Sequence, residues 1–190
     1  MACPDDDLPE FRPRNASLAR RVFTPLNVAA YITWAAIAFT VVDRAKLRAG
    51  VATEWLGAAC LLGVLALFVA AAVRARPEAT RLDAANAMLQ GVLVVVAEML
   101  LREGQTAVLL IIVAGQLVFM APMWVTVGYL ALANTVIAAM WTQRTGSLGA
   151  TLAWMLPVVG FQAFAGITGH YARAREVARE HLARVNAELM

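Results

Sequence analysis

Apolar positions along this chain fall in six runs, most of them long and divided by short charged segments, not at the three-to-four spacing of a soluble amphipathic helix. A helix needs about 20 mostly apolar residues to cross a bilayer. The runs predict spans at residues 24–42, 55–73, 84–101, 106–121, 123–141 and 148–169. Charged residues close the first three: Asp43, Arg44 and Lys46, then Arg74 and Arg76, then Arg102 and Glu103. The fourth run is short. Its core of about 16 residues reaches only ~24 Å at 1.5 Å per residue, against a hydrocarbon thickness of ~30 Å. Pro122 separates it from the fifth, because proline cannot continue the helical ladder. A tight hairpin of two spans is expected here, with a five-span chain as the competing count. The expected fold is therefore all-α: a polytopic bundle of six transmembrane helices followed by a cytoplasmic signalling helix. Residues 1–22 form an N-terminal tail, 23–169 the membrane domain and 170–190 the start of a coiled-coil linker that stops in mid-pattern, as a fragment would.

Composition agrees with lipid as the main solvent. Of 190 residues, 61% are hydrophobic and 15% charged, against about 45–50% and about 25% in soluble domains; mean hydropathy is +0.67. Basic residues are too dispersed to suggest a nucleic-acid partner. The N-terminus carries Asp5, Asp6 and Asp7 where a secretory signal has a basic region. Cys3 and Cys60 lie in different environments and imply no disulfide, and no Cys/His cluster implies a metal. No cofactor motif and no nucleophile–base arrangement is present.

Charge also orients the chain. With six spans, one side receives Arg12, Arg14, Arg20, Arg21, Arg74, Arg76, Arg81, Arg173, Arg175, Arg179 and Arg184, and the other only Arg44, Lys46, Arg48, Arg102 and Arg144. The positive-inside rule places both termini in the cytoplasm of a cell inner membrane. Trp55, Trp124 and Trp141 fall at span ends, where aromatic belts form, whereas Trp34 and Trp154 lie deeper and are expected between helices.

Beyond His170 the sequence is rich in Ala, Arg, Glu and Leu, without Gly or Pro, and should prolong the sixth helix. Ala178, Leu182, Val185 and Leu189 recur at heptad spacing. This seam fits a parallel dimer; an amphipathic helix lying on the membrane surface is the alternative. The stretch from Gly160 to Met190, and LARVNAEL from Leu182 to Leu189 most closely, resembles the junction between the last membrane helix and the cytoplasmic helix of DesK-like sensor histidine kinases. The resemblance implies the sensor region of a homodimeric two-component kinase, which reaches a response regulator only through an ATP-dependent kinase core. His170 and His181 do not match the family's phosphoacceptor context, and no Gly-rich ATP-binding box occurs, so the kinase chemistry is outside this chain.

Polar residues within spans are costly and mark candidate sites. Glu98 stands out, either as a proton- or ligand-responsive group or as a carboxylate near the outer headgroups paired with Arg102 one turn on. Gln90 and Asn86 continue a polar stripe down the third helix; Gln116, Asn134 and Gln162 are candidates to join it. Single interhelical hydrogen bonds are the simpler reading of each. Pro157 and Gly160 suggest either a hinge or a static kink in the sixth span, with His170 at its cytoplasmic boundary. A small transporter or channel built on the polar seam around Glu98 is the alternative function.

Overall fold

The architecture comes from a computed structural model that describes residues 22–47, 52–74, 80–102 and 104–189. All regular structure among them is helical: α1 (Pro25–Leu47), α2 (Ala52–Arg74), α3 (Arg81–Leu101), a 3-10 turn (Gln105–Val108), α4 (Leu109–Met120), α5 (Met123–Thr145) and α6 (Leu148–Leu189). Five of these helices are long and apolar enough to cross a membrane; α4 with its 3-10 turn is the shorter one. The acidic tail with its arginines, and Arg48, Arg76, Glu103 and Met190, lie outside the described residues.

Local chemistry sets the helix ends. Thr80 and Asp83 form a capping box on α3: the Asp83 carboxylate accepts from the Thr80 N–H at 2.8 Å, and the Thr80 hydroxyl accepts from the Asp83 N–H at 3.3 Å. Arg102 ends α3 in the left-handed region at φ 58°. Ala121 is extended and Pro122 starts α5, so the chain breaks where the proline predicted. Gly146 closes α5 at φ 65°, and the Ser147 hydroxyl accepts from the Ala150 N–H to open α6.

The bundle is built around α4. Leu109, Leu110, Val113, Ala114 and Leu117 are all essentially inaccessible, and α4 touches α3, α5, α6 and α1. Its contacts with α3 run in antiparallel order. Thr106 meets Glu98, Gln116 meets Gln90, and Ala121 joins Ala87 in one apolar cluster. Because its neighbours shield it, this helix can be shorter than one facing lipid. By contrast α1 is peripheral, tied by Trp34 Nε1 donating to the Leu61 carbonyl at 2.9 Å and by Tyr31 edge-on to Phe68.

α6 is unbroken over 42 residues and passes through Pro157, which is exposed. One face packs into the bundle through Thr151, Met155, Val158, Gln162, Gly166 and Gly169. Every described side chain from His170 to Leu189 is exposed. At 1.5 Å per residue this last stretch extends about 30 Å along the helix.

Candidate functional site

Glu98, on the last turn of α3, is wholly inaccessible. Its carboxylate does not reach water, and it does not meet the Arg102 side chain. The reason is local: Arg102 has left the helix, so the i, i+4 spacing no longer brings the two side chains together, and Arg102 is exposed. One carboxylate oxygen instead accepts from the Gly104 N–H at 2.8 Å and from Trp141 Nε1 at 3.1 Å, while the other accepts from the Thr106 hydroxyl. Gly104 precedes the 3-10 turn that leads into α4, so the carboxylate caps a helix entrance, where backbone N–H groups lack partners and negative charge is favoured.

Side chains from α5 and α6 enclose this node. Trp141 stacks on Trp154 with centroids 5.3 Å apart, and the Arg144 guanidinium lies 5.3 Å from the Trp141 ring centre while donating to the Arg102 carbonyl at 2.9 Å. Gly104 sits at φ 78°, and a Cβ there would come within 2.6 Å of the Trp141 ring. From α1, the Thr40 hydroxyl donates to Gln105 at 3.1 Å. Five helices thus contribute residues at one end of the bundle, around a single carboxylate. Trp141 is at a span end as its position predicted, but it is turned inward; Trp55 and Trp124 are exposed.

The other intramembrane polar residues form separate pairs. Gln90 and Gln116 exchange reciprocal amide hydrogen bonds at 3.1 and 3.2 Å. Asn134 and Gln162 do the same between α5 and α6 at 2.7 and 3.2 Å. Asn86 donates to the Leu67 carbonyl of α2 at 3.1 Å. The expected stripe is therefore divided. Val94 and Ala97, both inaccessible, separate the Gln90 level from the Glu98 level, and Asn134 and Gln162 pair on different helices. This arrangement satisfies donors locally and provides no continuous polar path.

Comparison with known protein families, characterised proteins and solved structures returned no match.

Two further features of the bundle were not anticipated from the sequence. A narrow crevice opens between α1 and α2–α4, lined by Tyr31, Trp34, Phe68, Gln90, Ile112 and Val113. At the other end of α4, Val118 and Phe119 pack against α6 where it leaves the bundle: a Cβ on Gly169 would lie 3.1 Å from Val118 and 3.3 Å from Phe119. The helix capped by Glu98 at one end therefore touches the root of the exposed helix at the other. Of the remaining candidates, Gly160 has open space around it, and His170 is exposed with its ring edge-on to Tyr171.

Proposed function

We propose that this chain is the membrane-embedded input region of a DesK-like sensor histidine kinase, with six spans, both termini in the cytoplasm and a homodimeric output through α6. The observation that carries this reading is the continuity of α6. It begins inside the bundle, is gripped at Gly166 and Gly169 by α4, and runs on for about five turns with an exposed heptad seam. A helix that continues its own span does not favour the surface-lying alternative, which needs a turn at the membrane boundary.

In this reading the stimulus is the state of the bilayer or a small ligand. Lipid or a small ligand acts on the lightly held α1 and on the outer node, α4 moves between two packings, and its Val118–Phe119 end shifts the root of α6. Pro157 and Gly160 allow α6 to bend relative to the bundle. A ligand or lipid state shifts such an equilibrium only by its differential affinity for the two packings. The pairing of polar groups at separate levels gives no support to the transporter alternative.

The test is a fusion of residues 1–189, in heptad register, to the dimerisation and ATP-binding domains of a DesK-like kinase. Autophosphorylation is measured in nanodiscs of short-chain and of long-chain phosphatidylcholine. A severalfold difference between the two bilayers is expected, and it should vanish in a fusion carrying Gly169→Leu. Equal rates in both bilayers, from a fusion that retains ATP turnover, would contradict the proposal.

A further inference from the structure

The face of α6 turned away from the bundle is an apolar stripe from membrane to cytoplasm, interrupted at Arg175. Stepping at ~100° per residue, the six residues of α6 that pack into the bundle lie within roughly 40° of one direction. Phe164, Ile167 and Tyr171 within the span, and Ala178, Leu182, Val185 and Leu189 beyond it, lie within roughly 40° of the opposite direction. Phe164 is 65% exposed, Tyr171 66% and Leu182 61%. Lipid can cover the first three residues. It cannot cover the last four, where the flanking residues Arg173, Arg179 and Arg184 are charged and exposed.

We infer that the stripe is one continuous interface with a second copy of this chain, and that the dimer is formed within the membrane, by Phe164, Ile167 and Tyr171, as well as in the cytoplasm. The inference rests on the homodimer reading above and adds the membrane half of its interface. Two α6 helices then run along the two-fold axis, and each bundle, with α1 furthest out, packs on the far side of its own α6. The area is sufficient. Seven side chains exposing on the order of 100 Å² each, on the scale of buried aromatic rings, give roughly 700 Å² per copy, close to the ~800 Å² per partner of a stable interface. Arg175, between the two halves, stands at headgroup level, where its long stem can carry the charge to lipid phosphate.

Single cysteines at Phe164, Ile167 and Leu182, with Ala163 and Arg184 as exposed controls off the stripe, are compared in the full chain carrying Cys3→Ser and Cys60→Ser. Disulfide formation is driven in native membranes with a membrane-permeant oxidant. Phe164→Cys, Ile167→Cys and Leu182→Cys should each crosslink about tenfold faster than Ala163→Cys and Arg184→Cys. Fast crosslinking at Leu182 alone would overturn the membrane interface and leave the cytoplasmic dimer standing. Rates at all three no greater than at the controls would overturn both. Ile167→Cys keeps the membrane half testable if Phe164→Cys does not fold.

Discussion

Replacing Glu98 by leucine removes the acceptor for three donors at once: the Gly104 N–H, the Trp141 indole N–H and the Thr106 hydroxyl. The site is inaccessible, so water does not replace the carboxylate. Each buried donor left without a partner costs about 1–3 kcal/mol. The hydroxyl can rotate toward another acceptor, whereas the backbone and indole N–H groups cannot, which sets the expected loss at roughly 2–6 kcal/mol. Glu98→Gln should behave differently. Its carbonyl oxygen can take both the Gly104 and Trp141 bonds, which fall on one oxygen in the native protein, and its NH₂ can donate to Thr106 once that hydroxyl turns. The expected cost is under ~1 kcal/mol. At about 2–4 °C per kcal/mol for a chain of this size, Glu98→Leu lowers the melting temperature by on the order of 10 °C or more and Glu98→Gln by a few degrees. The assay is thermal unfolding of the purified protein in detergent, followed by tryptophan fluorescence, with Trp141→Phe as a partial mimic that removes one donor. A Glu98→Leu protein melting within two or three degrees of wild type would refute the capping argument. So would a Glu98→Gln protein as damaged as the leucine variant, since charge and not acceptor geometry would then be what the site requires.

Other consequences are equally open to measurement. Gln90→Leu and Gln116→Leu should each destabilise by about 1 kcal/mol because the first strands the half-buried Gln116 amide and the second the buried Gln90 amide, and the double variant should recover most of the loss; a double-mutant cycle on unfolding reads the coupling, and strict additivity would contradict the pairing. Gly91→Ala drives a methyl group into the Tyr129 ring, whose hydroxyl donates to the Met88 carbonyl, and overpacking of this kind costs about 1–3 kcal/mol; Tyr129→Phe should restore part of the lost melting temperature in the Gly91→Ala background. Gly104→Ala combines a left-handed backbone with contact on Trp141 and should lower stability by about 1–3 kcal/mol; retention of wild-type stability would show that the turn repacks freely.

The helices were legible because lipid imposes a simple requirement on length and polarity, and because charged residues and Pro122 end the apolar runs sharply. The continuity of α6 was legible because Ala, Arg, Glu and Leu without a breaker leave few alternatives to a helix. What could not be read was register between helices. Glu98 was visible as an intramembrane carboxylate, but its partners lie in a turn after the helix has ended and on a helix 43 residues away. Arg102, the partner suggested by spacing, is lost because one residue adopts a left-handed conformation. Gln90 and Gln116 were both on the page as polar outliers; their pairing depends on the antiparallel alignment of α3 with α4, which no periodicity within either helix encodes. The signal that could have pointed to the node is compositional: a Gly-Gln-Thr turn directly after a span that ends in a buried acid. The short fourth run read as a weak span for want of length, yet length is what a helix shielded on several sides needs least.

Coupling of the Glu98 node to the exposed helix through α4, in the proposed dimer, is what the sensor reading requires. It is tested most directly by pulsed electron–electron resonance on a nitroxide at Ala187, in the full chain with Cys3→Ser and Cys60→Ser, reconstituted in nanodiscs. Paired helices with axes about 8–10 Å apart should give one narrow interlabel distance that shifts or broadens when Glu98→Leu releases the α4 entrance and when the bilayer is thinned. A distribution showing no defined pair, or a narrow distance unmoved by both perturbations, would contradict the account.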